Sequence, residues 1–170
     1  DPTIRNHTLH LLTNNSKADL KPYTSVLLNL AQTDSSPRVR LTLAGACQHR
    51  LPRELSIPIL QALAMRTEDT HDRFIPKMIW FGLATNAADH PAILTKLAHN
   101  TPQPLLRESI IWHFAKQNPK NALTVANQLT EPIAIARATA VISQALVGAK
   151  HPAPSNWGEF SAKAGATGSP

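Results

Sequence analysis

The residues best suited to bind a metal or to transfer protons are eight histidines and one cluster of carboxylates. His7 and His10 are three positions apart, so a helix would place both imidazoles on one side, where they could hold a metal ion. A zinc site needs three or four ligands, and the sequence places no carboxylate or cysteine beside this pair. We therefore interpret both histidines as surface residues and predict no metal site.

The densest group of acidic residues is the segment 68–72 (EDTHD), which directly precedes a predicted helix. Three carboxylates and an imidazole could bind a metal or act as acid and base. Acidic residues before a helix also cap its free N–H groups and are stabilised by its dipole, and we favour this structural role. Asp72 is predicted to be the cap, and Asp69 is predicted to form an ion pair with Arg40 or Arg107.

Cys47 is the only cysteine, which excludes an internal disulfide and a cysteine-rich metal site. It falls on an apolar stripe, so we interpret it as an inert core thiol and not as a nucleophile. The spacing of Ser, His, Cys and Asp residues supports no nucleophile and base arrangement. We predict no catalytic residue and no enzyme activity for this chain itself.

The composition predicts the elements that position these residues. The chain has 170 residues, a single-domain length, with 42 % hydrophobic content, 5 % aromatic content and only six glycines. Abundant alanine and leucine favour helices over a sandwich, a barrel or a Gly-rich dinucleotide fold. The 14 prolines lie mostly between apolar stretches and so separate many short helices.

A short phrase recurs in which a proline is followed by an aliphatic residue and an arginine. It occurs at residues 1–5 (DPTIR), 36–40 (SPRVR) and 103–107 (QPLLR), with a weaker copy at 72–76 (DRFIP). The aliphatic reference residues at positions 4, 39, 75 and 106 are 35, 36 and 31 residues apart. Periods of this size are typical of helical solenoids.

Each phrase begins a predicted helix with one apolar face. Seven of the eight residues four and eight positions after the references are apolar, as expected for a buried stripe. Partner helices are predicted at roughly Tyr23 to Ala31, Ile57 to Met65, Ala92 to Ala98 and Ala122 to Leu129. We predict an all-α solenoid of about four to five helical hairpins over residues 1–148. An irregular Pro/Gly/Ala-rich tail or linker is predicted over 149–170.

Two sets of repeated residues are candidates for special roles. Arginines near the start of the repeated helices are predicted to form a structural ladder by reaching a carboxylate or a loop carbonyl of the adjoining repeat. They are Arg5, Arg40, Arg107 and Arg137. The second set comprises the aromatic residues Trp80, Phe81 and Trp112. We predict that Phe81 or Trp112 is buried between hairpins, whereas an exposed ring could anchor a partner.

The repeated phrase resembles the HEAT repeat. Residues 35–52 (SSPRVRLTLAGACQHRLP) and 68–83 (EDTHDRFIPKMIWFGL) resemble the HEAT-like region of large predicted membrane-bound dehydrogenases of planctomycetes and verrucomicrobia, which carry a c-type haem-binding domain. The resemblance covers about residues 1–115. It implies a helical region between an amino-terminal β-propeller and a carboxy-terminal cytochrome c, in an extracytoplasmic bacterial protein. This chain has no Cys-x-x-Cys-His, so haem c is expected only in a neighbouring domain.

The expected function is a non-catalytic scaffold or interaction module. Its expected partners are domains of the same polypeptide or another protein. The alternative is a basic HEAT-like nucleic-acid-binding protein or DNA base-excision enzyme. The formal net charge is +6, but charged residues make up only 16 % of the chain and form no continuous basic stripe. No apolar run reaches the roughly 20 residues of a membrane span.

Overall fold

The computed structural model describes residues 1–15, 18–147 and 152–167, apart from the side chains at positions 163, 164, 166 and 167. All secondary structure in these ranges is helical, which confirms the predicted all-α class. The α-helices are α1 (Pro2–Asn14), α2 (Thr24–Thr33), α3 (Pro37–His49), α4 (Arg53–Ala64), α5 (Ile75–Asn86), α6 (Pro91–Asn100), α7 (Pro104–Gln117), α8 (Pro119–Ala126), α9 (Pro132–Leu146) and α10 (Trp157–Thr167). Short 3-10 helices occupy Lys21–Tyr23 and Thr67–Asp69.

Prolines mark the helix starts, as the sequence predicted. Six α-helices begin with a proline, where the fixed φ suits the first turn and the missing N–H is not needed. Asp1 caps α1 by accepting from the backbone N–H of Thr3 at 2.6 Å. Asn118 caps α8 by accepting from the backbone N–H of Lys120 at 3.1 Å. Ser36, the residue before α3, makes no such side-chain bond.

The chain forms two compact units, residues 1–106 and 107–170, where its length suggested one domain. In the first unit, α3 packs between α1 and α5, α2 packs on α4, and α4 contacts both α3 and α5. Leu60 of α4 packs closely on Gly82 of α5, where a Cβ would lie 2.8 Å from the Leu60 Cδ2 atom, so a larger residue there would require the Leu60 side chain to shift.

The predicted apolar stripe is buried in three of the four repeated helices. The reference, fourth and eighth positions of α3, α5 and α7 are at most 3 % exposed. Those residues are Val39, Leu43, Cys47, Ile75, Ile79, Leu83, Leu106, Ile110 and Phe114. In α1 the same positions behave differently, because Ile4 and Thr8 are exposed and Leu12 is half-buried.

In the second unit, α9 packs against α8 and α10. The predicted irregular tail is therefore wrong over Trp157–Thr167, which is helical. Phe160 is 4 % exposed and its ring lies 6.0 Å from that of Trp157, so burial of an aromatic side chain accompanies helix formation despite Gly158. The predicted boundary between positions 148 and 149 lies outside the described residues.

No helix within the described ranges is both long enough and apolar enough to cross a lipid bilayer.

Candidate interaction surface

The first rung of the arginine ladder joins Arg5 of α1 to Asp34, the residue that follows α2. The Arg5 Nε donates to Asp34 Oδ2 at 2.6 Å, and the Arg5 Nη2 donates to Oδ1 at 3.0 Å. The Asp34 side chain is 2 % exposed and also accepts from the backbone N–H of Ser36 at 2.8 Å. The hydrogen bond from Arg5 is the largest cause that lowers the pKa of Asp34.

The second rung repeats this geometry 35 residues further along the chain. The Arg40 Nε donates to Asp69 Oδ2 at 2.7 Å, and the Arg40 Nη2 donates to Oδ1 at 2.5 Å. Both side chains are almost fully buried, at 3 % and 1 % exposure. The Arg40 Nη1 also donates to the backbone carbonyl of Asp34 at 2.8 Å. Arg40 thus ties the loop after α2 to the loop after α4, and it is one of the two arginines suggested for Asp69.

The ladder changes in its later members. Arg137 Nη1 donates to Glu108 Oε1 at 3.0 Å in an exposed pair, 29 residues back along the chain instead of forward. Arg107 is half-buried, and this burial lowers its pKa, while Glu131 and Glu108 act in the opposite direction. Among the described contacts, Arg5 and Arg40 are therefore the ladder arginines that form two hydrogen bonds with an aspartate 29 residues later in the chain.

Arg66 is a ladder residue that the sequence analysis missed, because it lies outside the repeated phrase. Its guanidinium donates to the backbone carbonyls of Gln32 and Asp34, the latter at 3.1 Å. It also pairs with Glu68 through Nη2 to Oε1 at 2.7 Å. Gln103 extends these contacts by donating from Nε2 to the carbonyl of Arg66 at 3.2 Å. These side chains satisfy the carbonyls at the ends of α2 and α4.

The acidic segment 68–72 is divided among three structural tasks. Asp69 pairs with Arg40, and Glu68 pairs with Arg66. Asp72 Oδ1 accepts from the backbone N–H groups of residues 74 and 75, each at 2.7 Å, which is the capping interaction expected at the start of α5. Among the described residues, no three His, Cys, Asp or Glu side chains lie together as a set that could hold a metal.

The predicted aromatic residues do not form a buried set. Phe81 is 51 % exposed, Trp112 is 39 % exposed and Trp80 is half-buried, so the expected burial of Phe81 or Trp112 is wrong. The reason is helical phase. The buried stripe spans the reference, fourth and eighth positions, whereas the sixth lies about 160° from its centre at roughly 100° per residue. Lys116 Nζ lies 5.1 Å above the Trp112 ring and partly covers it.

Cys47 lies in the core of the first unit. It is 0 % exposed, and burial raises the pKa of its thiol to about 12. Its backbone carbonyl accepts from Asn86 Nδ2 at 2.7 Å, which joins α3 to α5. A buried neutral thiol is a poor nucleophile, in agreement with its interpretation as a core residue.

A groove lined almost entirely by apolar side chains lies between α1 and α2 and was not predicted. It has a volume of about 460 Å³. Its lining includes Ile4, Leu9, Leu12, Val26 and Leu30. The sequence contained a signal for it, since position 8 is the one polar residue of the repeated stripe, but the pattern was interpreted as core in every repeat.

Comparisons of this chain with protein-family models, with curated proteins and with solved structures found no match. The functional conclusion therefore rests on the contacts of the chain itself. The described residues form ion pairs that order the loops, of which Arg40–Asp69 is almost fully buried, and they expose apolar side chains on α1, α2 and α5.

Proposed function

We propose that this chain is a non-catalytic scaffold or interaction module, built as a HEAT-like α-solenoid of about four to five hairpins. The observation that supports this proposal best is the repetition of one clamp. Arg5 with Asp34 and Arg40 with Asp69 share the same bidentate geometry and the same 29-residue separation. A recurrence of both sequence and contact is expected when neighbouring repeats stack by translation.

The Arg5–Asp34 and Arg40–Asp69 pairs would hold the first hairpins of such a stack rigidly together. Each guanidinium holds the loop that leads into the next hairpin, and Arg40 contacts two successive loops through Asp34 and Asp69. Buried ion pairs often add no net stability relative to apolar packing, and in some proteins they fix a unique geometry. Their role in a scaffold would be to fix the angle between hairpins while the outer helix faces remain available to partners.

The resemblance of the repeated phrase adds a proposed setting. The parent protein would be an extracytoplasmic bacterial dehydrogenase with an attached cytochrome c, and this region would space the two. Haem c would be bound by the cytochrome domain, which holds the required Cys-x-x-Cys-His motif. The partners of this chain would then be domains of its own polypeptide or another protein.

Two measurements on the purified chain test the proposal. Small-angle X-ray scattering of the monomer should give a radius of gyration clearly above the roughly 15 Å of a compact 170-residue domain, because stacked hairpins are extended. Titration with haem and with Zn²⁺ should give no saturable, stoichiometric binding, and assays with sugars and alcohols should give no turnover. A compact radius would contradict the solenoid, and stoichiometric haem uptake or turnover would contradict the scaffold.

A second candidate function is nucleic-acid binding, and the charge distribution of the first unit favours it. Helices α1, α3 and α5 contain no Asp or Glu within their bounds. Arg38, Arg73 and Lys77 are exposed, and so are Phe74 and Phe81. Exposed cations beside aromatic rings suit phosphates and unstacked bases.

A salt titration separates the two candidates. A fluorescent single-stranded DNA should bind the chain at about 50 mM salt, with affinity falling steeply as salt rises, if Arg38, Arg73 and Lys77 contact its phosphates. Replacing Phe81 by Ala should weaken that binding, whereas replacing the buried and uncharged Ser56 by Ala should leave it unchanged. No binding at low salt would remove this candidate and leave the scaffold proposal intact.

A further inference from the structure

The first hairpin exposes residues whose equivalents in the second hairpin are buried. Ile4 of α1 is 66 % exposed, whereas Val39 of α3, one period later, is fully buried. Aligning Leu27 with Leu60 pairs Val26 of α2, which is 53 % exposed, with a fully buried Ile59 of α4. Val39 and Ile59 belong to helices that pack against the first hairpin, since α3 packs on α1 and α4 packs on α2. The groove between α1 and α2 is therefore the first-hairpin equivalent of a face that is covered in the second hairpin.

The same face carries almost no charge, although the chain has a formal net charge of +6. Helix α2 contains no charged residue. Arg5 is the one charged side chain among the described residues that line the groove, and Asp34 neutralises it. A second copy of this chain could therefore approach through this face with little like-charge repulsion. Contact through the exposed Arg38, Arg73 and Lys77 would instead bring like charges together.

The face also has the relief that a two-fold contact requires. An isologous interface uses one patch twice, so the patch must offer both projections and a depression. Tyr23 lines the groove and is 44 % exposed. Leu11 of α1 is 64 % exposed and follows Ile4 by seven residues, which is about two helical turns. The groove itself provides about 460 Å³. Projecting side chains of one copy can enter the depression of the other, and the reverse contact follows from the symmetry.

We propose that two copies of this chain associate through the α1/α2 groove, hairpin against hairpin. The inference deepens the proposed function, on which it rests, by naming a partner for one face of the interaction module. Helices of 13 and 10 residues give a face of about 20 Å by 20 Å. That is smaller than the roughly 800 Å² that each partner buries in a standard interface, so the dimer is weak.

Sedimentation velocity of the full chain from about 1 to 500 µM tests this inference, because this range brackets a micromolar dissociation constant. We expect the weight-average mass to rise from one chain to two. Val26→Glu and, separately, Ile4→Glu should weaken dimerisation at least tenfold, because each places a carboxylate in the groove. Ile133→Glu is the matched control, since Ile133 is 71 % exposed in the second unit, and it should dimerise like the wild type.

Circular dichroism should show unchanged helicity in all three variants, because each replaced side chain is more than half exposed. A chain that stays monomeric up to about 500 µM would overturn the inference, and so would a dimer that neither groove variant weakens. The inference would also be overturned if the chain stayed monomeric and its α1/α2 groove bound a helix of another protein. The scaffold proposal is tested separately, by scattering from monomeric Val26→Glu, so either idea can fail without the other.

Discussion

Arg40 and Asp69 form a buried ion pair in which each charge compensates the other. Their side chains are 3 % and 1 % exposed. Removing water from two charges costs several kcal/mol each, and mutual attraction with good hydrogen bonds offsets that cost. Losing one partner leaves the other charge buried and unpaired.

We predict that Arg40→Ala lowers the free energy of unfolding by about 3 to 5 kcal/mol. Arg53→Ala is the control, because Arg53 also pairs with an aspartate, Asp89, at 2.7 Å but its side chain is 40 % exposed. Exposed pairs contribute little, so this control should unfold close to the wild-type midpoint. Urea denaturation followed by circular dichroism measures both variants. Equal losses in the two variants would contradict the assignment of Arg40 as a buried anchor.

At the scale of single helices, α10 depends on tertiary contact more than on its own sequence. It spans 11 residues and includes Gly158 and Gly165, and an isolated helix of this length is marginal in water. Phe160 is its deeply buried aromatic residue, at 4 % exposure, and α10 packs on α9. The side chain of Phe160 is thus the main attachment that the described contacts assign to this helix.

We predict that Phe160→Ala lowers the free energy that holds α10 in place by about 3 to 5 kcal/mol, because it removes a large buried side chain. Amide hydrogen exchange should then become fast throughout α10 while α3 and α5 remain protected. Glu159→Ala, at an exposed neighbouring position, should keep the wild-type exchange pattern. Uniform destabilisation of all helices by Phe160→Ala would show instead that α10 unfolds only with the whole chain.

The sequence predicted helix positions well where proline phrases and apolar periodicity agreed. It failed where a single residue was ambiguous. Pro58 was placed at the start of a helix, but α4 begins at Arg53 and contains Pro58 inside it. Pro58 is exposed and has no N–H to donate to an earlier carbonyl of the helix. The contacts of α4 with neighbouring helices stabilise it regardless.

The candidate surface was harder to predict than the helices. Periodicity identifies which residues share a helix face, but it does not tell whether another hairpin covers that face. Ile4 and Val39 occupy equivalent positions, and only the packing of neighbours makes one exposed and the other buried. Arg66 was missed for a related reason, since its carbonyl partners lie more than 30 residues away in sequence.

For the whole molecule, acidification changes the charge balance and protonates Asp34, the carboxylate of the first rung. The chain has 11 Asp and Glu residues against 17 Lys and Arg residues and eight His residues, so low pH leaves a large unbalanced positive charge. Asp34 contributes to this pH dependence, because its pKa is lowered in the folded chain, first by Arg5 and then by the backbone N–H of Ser36.

A lowered folded-state pKa fixes the sign of the pH dependence. The Asp34 contribution to stability is complete above its unfolded pKa of about 4 and is lost as the pH falls through the lower folded pKa. Arg5→Met removes the largest cause of that lowering, so the pKa of Asp34 should be higher in the variant than in the wild type. The stability difference between the wild type and Arg5→Met should therefore be greatest near pH 7 and should shrink as the solution becomes more acidic.

Urea midpoints measured from about pH 7 to pH 3, with NMR titration of the Asp34 carboxyl carbon, check this prediction. Arg38→Met is the matched control, because Arg38 is an exposed arginine on α3, and its difference from the wild type should stay constant with pH. Raising the salt concentration should shrink the general repulsion in all three proteins but not the Asp34 difference, since that carboxylate is buried. A pH-independent difference for Arg5→Met would mean that Arg5 stabilises the chain by packing alone.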